Sequence, residues 1–236
     1  MRCAVLGDPV SHSLSPALHR AGYAAAGLGW SYDAQRVPAG GLEGFLGTLD
    51  TEWRGLSLTM PLKREAMPLA SAVSDRARLV GAANTLVRVD DAWHADNTDL
   101  PGAVAAIRER YDGPVTAATL LGAGATAAST GLALCELGAT RLRLLARDPS
   151  RAEETVVAIR RQGAVEVEVL PLDGGAVTGE VVVSTIPAAA QAASLVQAAA
   201  RATVLFEVVY DPWPTPLAAM RAAGEAELAA RGEGAG

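Results

Sequence analysis

The chain has 236 residues, half of them apolar and 19% charged, with a formal net charge of -6. That length makes one large domain or two small ones, and the composition excludes a disordered, collagen-like or coiled-coil polymer. No stretch is dense in lysine or arginine, so clustered cations that would neutralise a phosphate backbone are lacking, and a small-molecule partner is expected rather than nucleic acid.

Apolar runs alternate with alanine-rich stretches at helical spacing. This is the sequence form of β-α-β units on a parallel sheet, and it predicts an α/β fold. The first strand, Cys3 to Leu6, is not preceded by a basic segment and a long apolar core, so no secretory leader is expected. Gly7-Asp-Pro-Val-Ser-His12-Ser13-Leu-Ser15-Pro16 then opens a helix over 16–26, with Ser15 placed as N-cap and Pro16 at the first helical position. Strands are predicted over 30–36, 55–58 and 83–89, and helices over 42–49 and 102–110. Three motifs put compact polar groups at the ends of these elements: Ser57-Leu-Thr59-Met-Pro61-Leu-Lys63, Gly81-Ala-Ala-Asn84-Thr85, and Asn97-Thr98-Asp99. On residue type alone, Lys63 reads as a solvated lysine and Asp99 as a helix N-cap.

From Val115 onward the chain reads as one nucleotide-binding unit, with strands over 117–121, 141–146, 165–170, 180–184 and 203–208 and helices over 127–137, 150–162, 188–201 and 216–222. Thr119-Leu-Leu-Gly122-Ala123-Gly124-Ala125-Thr-Ala127 runs from a strand through G-x-G-x-x-A into a helix. Gly122 makes the turn, Gly124 lets backbone approach a pyrophosphate, Ala127 permits close packing, and the helix N-terminus supplies an anion site. Gly122, Ala123, Gly124 and Ala125, with Thr185 after a later strand, are the candidate cofactor-binding residues. Beyond the second strand of this unit, Arg147 and Arg151 in Ala146-Arg147-Asp148-Pro-Ser150-Arg151 suit a ribose 2′-phosphate and hence NADP. Asp148 admits two readings, a turn residue before Pro149 or an acid that binds the free ribose 2′-hydroxyl of NAD.

Two uncharged stretches, 113–135 and 181–200, reach the length of a bilayer span. Glycine, threonine and proline interrupt them, so they read as buried strands turning into helices and no membrane span is expected. His12, His19 and His94 lack ligand spacing, and no metal is expected. The two cysteines, Cys3 and Cys135, form neither a disulfide framework nor a zinc pattern, which fits a reducing cytoplasm.

Taken in order, His12 to His19, Leu58 to Lys63, Gly81 to Thr85, Asn97 to Asp99 and Tyr210 to Pro216 match H-S-x-S-P-x-x-H, V-T-x-P-x-K with Leu58 for the valine, G-A-x-N-T, N-T-D and Y-x-P-x-x-T-P. On these motifs the chain resembles the shikimate dehydrogenase family from Val5 to about Gly224. The resemblance implies a substrate-binding and catalytic domain over 1–101, joined by the C-terminal segment 213–236, and an NADP-binding Rossmann domain over 102–212. It implies reversible reduction of 3-dehydroshikimate to shikimate in aromatic amino-acid biosynthesis, by a cytoplasmic monomer or homodimer. By the same resemblance, Ser13 and Ser15 hold the substrate carboxylate, Thr59, Asn84 and Lys63 surround its hydroxyls, Tyr210 adds a further hydroxyl, and Lys63 and Asp99 form the catalytic pair.

Two other readings stay open, an NAD-dependent quinate/shikimate dehydrogenase and a catalytically impaired nucleotide-binding paralogue. The chain also departs from the family pattern. Arg20 and Ser57 stand where the family usually has asparagine, and the family's late glutamine has no counterpart, the last glutamine here being Gln197. A shortened C-terminus and a sequence that continues beyond this chain are both compatible with that difference.

Overall fold

The computed structural model describes residues 1–233. The chain divides into two compact units, Met1–Asp99 and Leu100–Gly236. In the first, β1 (Arg2–Gly7), α1 (Ser15–Ala25), β2 (Ser31–Arg36), α2 (Leu42–Leu46) and β3 (Trp53–Leu58) are followed by β4 (Ala72–Val73), α3 (Asp75–Val80), β5 (Thr85–Val89) and β6 (Ala92–Asp96). They build one sheet in the order β2-β1-β3-β5-β6-β4. β1 runs parallel to both β2 and β3, while β5 is antiparallel to β3 and to β6.

Both faces of this sheet are buried, as the alternation along β1 requires. Ala4 and Leu6 join Leu56, Leu58, Leu62 and Leu86 in one core, whereas Cys3 and Val5 join Tyr32 in another that takes in Tyr23 of α1. β5 and β6 form a hairpin that turns at Asp90 and Asp91, with φ of 47° and 63°. Two consecutive left-handed residues are what a two-residue hairpin needs, and aspartate is among the few non-glycine residues that enter that region readily.

The second unit begins with α4 (Asp99–Arg110), whose first residue closes the first unit. It continues through β7 (Ala117–Leu121), α5 (Ala125–Glu136), β8 (Arg141–Ala146), α6 (Glu153–Arg160), β9 (Glu166–Pro171), β10 (Val181–Ser184), α7 (Ala193–Ala199), β11 (Val204–Glu207) and α8 (Pro216–Glu233). Its five-stranded sheet is parallel throughout, in the order β11-β10-β7-β8-β9. Renumbered within the unit this is 3-2-1-4-5, the doubly wound order of a dinucleotide-binding fold. Ala118, Leu120, Leu142, Leu144, Val181 and Val183 face one core and Leu121, Leu145 and Val182 the other. Burial on both faces explains why these strands read as unbroken apolar runs.

Several expectations are corrected. Ser15 is the first residue of α1, Leu14 occupies the cap position, and no side-chain capping bond forms there. β4, α3 and β6 were not anticipated, although Ser74 caps α3 by accepting the Ala77 N–H and Gly81 closes it at φ 72°. The helix expected over 150–162 starts as a 3-10 turn, Pro149–Ala152, before α6, and that over 188–201 contracts to a 3-10 turn, Ala188–Ala190, plus α7. The segment from residue 213, expected to join the first domain, packs with the second unit: Leu217 is fully buried beside Leu195 and Ala199, and Arg221 donates to the carbonyls of Ala202 and Thr203.

Candidate active site

In the first unit the candidate residues gather where the adjacent parallel strands β1 and β3 end. The Thr59 N–H donates to the Leu6 carbonyl at 2.9 Å and the Asp8 N–H to the Met60 carbonyl at 2.9 Å, which binds the two exits together. Gly7 is required by this approach, because a Cβ there would lie 2.3 Å from Thr59 Cγ2 and 2.9 Å from the Met60 carbonyl oxygen. Lys63 lies in the turn that follows and is anchored through its backbone, its carbonyl accepting the Ala83 N–H at 2.7 Å. Asn84 is fixed between β3 and β6, its carbonyl accepting the Leu58 N–H and its N–H donating to the Asp96 carbonyl.

These anchors bring three predicted residues together. Lys63 Nζ donates to Asp99 Oδ2 at 2.6 Å, and Asn84 Nδ2 donates to Asp99 Oδ1 at 2.7 Å. Thr98, a motif residue given no role from sequence, completes the cluster, its N–H donating to Asn84 Oδ1 at 2.9 Å and its Oγ1 accepting from Asn84 Nδ2 at 2.8 Å. The neighbouring Asn97 is buried and donates to the Ala82 carbonyl. The ion pair is partly buried, with 13% of the Lys63 side chain and 24% of that of Asp99 exposed. Charges screened this incompletely interact more strongly than a surface pair, and losing one member leaves the other uncompensated.

Ser13 and Ser15 are adjacent at the start of α1, where the Ser13 hydroxyl accepts the Ser15 N–H at 3.3 Å. The two departures from the family pattern are both bonded. Arg20 donates to the Tyr32 carbonyl and pairs with Asp33, and Ser57 Oγ accepts from the Tyr32 hydroxyl at 2.6 Å. His19 stacks on the Tyr32 ring, centroids 4.1 Å apart, and burial holds its pKa below the usual value, so it reads as packing.

In the second unit, β7 and β10 are neighbours and the glycine turn leaves the end of β7. Gly122 has φ 111°, and a Cβ on it would come within 2.2 Å of Thr185 Oγ1, so the turn accepts glycine alone. Thr185 itself donates from both N–H and hydroxyl to the Leu121 carbonyl, which makes it first a brace of the turn. Gly124 caps α5 without a side chain, and a Cβ there would meet open space. The first N–H groups of that helix therefore face a cradle suited to a diphosphate. Thr155, fully buried, donates to the Ala123 carbonyl at 2.8 Å and holds the loop from the side. It lies 32 residues away in sequence, and no motif marked it.

Past β8, Arg147 and Arg151 are exposed. The Asp148 carboxylate accepts both the N–H of Ser150 at 3.1 Å and its hydroxyl at 2.6 Å. That bond, helped by the two arginines, keeps its pKa below the usual carboxylate value. Of its two readings, the turn residue is the one the geometry favours. Tyr210 follows β11 and is 46% exposed, in the other unit from Lys63 and Asp99. Among the described residues no group of three or more His, Cys, Asp or Glu side chains is placed to hold a metal ion, and no helix is long and apolar enough to cross a membrane.

Known proteins share the sequence and the fold of this chain. The model of the shikimate dehydrogenase substrate binding domain matches residues 5–86. A shikimate dehydrogenase (NADP(+)) of Xanthomonas euvesicatoria pv. vesicatoria is 44% identical over 158 residues, which are 64% of this chain but 55% of the relative, so the match spans little more than half of that protein. The shikimate dehydrogenase (NADP(+)) of Aeropyrum pernix is 33% identical over 221 residues, 92% of this chain and 80% of the relative. The crystal structure of Mycobacterium tuberculosis shikimate dehydrogenase superposes with a TM-score of 0.85 at 39% identity, covering 95% of this chain and 85% of that one. With the ordered motifs, the Lys63–Asp99–Asn84 cluster and the doubly wound second unit, these matches establish that the chain belongs to the shikimate dehydrogenase family.

Proposed function

We propose that the protein is an NADP-dependent shikimate dehydrogenase that interconverts 3-dehydroshikimate and shikimate, with residues 1–99 binding substrate and residues 100–236 binding NADP. The observation that carries this reading is the Lys63–Asp99–Asn84 cluster. NADPH supplies the hydride that reduces the keto carbon. The charge that develops on the substrate oxygen then needs a proton donor held in place. Lys63 carries that proton on Nζ, and Asp99, itself fixed by Asn84, holds the ammonium at 2.6 Å. In the oxidative direction Lys63 takes the proton back from the substrate hydroxyl. Ser13 and Ser15 bind the substrate carboxylate, and Thr59 and Asn84 its hydroxyls.

Gly122 to Ala125 cradle the diphosphate, and Arg147 with Arg151 clamps the ribose 2′-phosphate. The bonding of Asp148 to Ser150 supports NADP over NAD, because the carboxylate is committed to its own turn. The intact ion pair supports a working catalyst over an impaired paralogue, and the two free cysteines suit a cytoplasmic site of action. Absorbance at 340 nm, followed with shikimate or quinate and either oxidised cofactor, tests the reading. Shikimate with NADP⁺ is expected to give the fastest turnover. Faster turnover with quinate and NAD⁺ would overturn it.

A further inference from the structure

Asn97 is completely buried, and its side-chain amide donates to the Ala82 carbonyl at 3.0 Å. The Ala82–Ala83 peptide carries that carbonyl on one side and the Ala83 N–H on the other, and the N–H donates to the Lys63 carbonyl at 2.7 Å. One planar unit therefore joins the residue two places before Asp99 to the residue that pairs with it. Gly81, at φ 72°, ends α3 and leads into this peptide, and both alanines are buried. The next N–H along, that of Asn84, donates to the Asp96 carbonyl at 3.1 Å. Residues 82–84 thus run between the turn that carries Lys63 and the turn that carries Asp99, bonded to both.

We infer that Asn97 is a positioning residue for proton transfer, which sets Lys63 against Asp99 through the Ala82–Ala83 peptide. The inference rests on the proposed role of Lys63. A buried amide needs an acceptor whatever its function, and the consequence here comes from the acceptor it has. Donation into the Ala82 carbonyl polarises the same peptide whose N–H holds the Lys63 main chain, and the Lys63 side chain then reaches Asp99 at 2.6 Å. The other end of the spacer is held too, because the Asn97 N–H donates to Asp96 Oδ1 at 2.8 Å and the Thr98 N–H to Asn84 Oδ1. Removing the Asn97 amide therefore loosens the spacing of the two turns while leaving both members of the ion pair in the chain.

The test is steady-state kinetics with shikimate and NADP⁺ in light and heavy water, with melting curves, on the full chain. The variants are Asn97→Ala, Asn97→Ser, Lys63→Ala, and each Asn97 change combined with Lys63→Ala. Asn97→Ala is expected to lower kcat about 10- to 100-fold, the loss that a misplacement of about 1 Å produces, with KM for shikimate and for NADP⁺ little changed. The solvent isotope effect on kcat is expected to rise, because the proton step becomes slower. Asn97→Ser, which keeps a hydroxyl donor in the buried site, is expected to lose less. In the Lys63→Ala background neither change is expected to lower kcat further. Loss by the same factor with and without Lys63, or a lowered melting temperature with kcat and isotope effect kept, would overturn the inference alone. Asn97→Ser decides between these outcomes if Asn97→Ala does not fold. An unchanged kcat in Lys63→Ala would overturn the proton-transfer role and the inference together.

Discussion

At the scale of single residues, the features that matter are side chains whose bonding is already committed. Asn84 uses its amide on Asp99 and Thr98, so it orders the proposed catalytic pair whatever else it touches. Asp148 uses its carboxylate on Ser150, which leaves Arg147 and Arg151 as the charges proposed to distinguish the two cofactors. A charge-assisted bond to a phosphate is worth about 1.5–3 kcal/mol. Arg147→Ala is therefore expected to raise KM for NADP⁺ at least about tenfold and leave KM for NAD⁺ unchanged. Equal increases for both cofactors, measured by initial rates at 340 nm, would show that Arg147 does not read the 2′-phosphate.

At the scale of elements, the account depends on strand ends being held rigidly. Gly122→Ala brings a Cβ against Thr185 Oγ1 at a positive φ. It is expected to cost more than about 1 kcal/mol of stability and to abolish NADP binding, measured by thermal melts and by cofactor fluorescence. At the end of β6, Asp96 accepts from the Ser74 hydroxyl, from Arg76 and from the Asn97 N–H. Burial acts to raise its pKa, but these three bonds outweigh it and hold the pKa below the ordinary 3.8. A depressed native pKa gives stability that is present above the unfolded-state value and is lost as pH falls through the folded one. The urea midpoint is thus expected to fall as pH drops below about 4, and to fall less in Asp96→Asn.

The same elements show what sequence could and could not supply. The apolar runs of β7, β8 and β10 were legible because both faces are buried, and the motifs at their ends located the glycine turn and the arginines. The placement of Lys63 beside Asp99, 36 residues on, follows from β3, β5 and β6 being sheet neighbours, which no spacing reveals; only the family resemblance pointed to it. The β5–β6 hairpin went unseen because Asp90-Asp91 stands where Asn-Gly is the usual signal. α3 had both a serine cap and a closing glycine, but six residues give too short a period to register. Thr155 carried no local mark at all, since its bond to the Ala123 carbonyl is made by tertiary packing.

At the scale of the molecule, the proposed function divides the work between the two units. Residues 1–99 carry the ion pair and the hydroxyls, and residues 100–236 carry the dinucleotide features. Each unit has cores on both faces of its own sheet, so most of the assigned side chains, though not Lys63 or Tyr210, sit on or close to the end of a packed element, which is what precise chemistry requires. The central claim is that Lys63 moves the proton rather than merely binding substrate. It is tested most directly by steady-state kinetics of Lys63→Ala with shikimate and NADP⁺, on protein shown by melting to be folded. The account predicts that kcat falls about 10²–10⁴-fold, the usual loss for a positioned proton-transfer group, with KM for shikimate little changed. An unchanged kcat with a raised KM would contradict it.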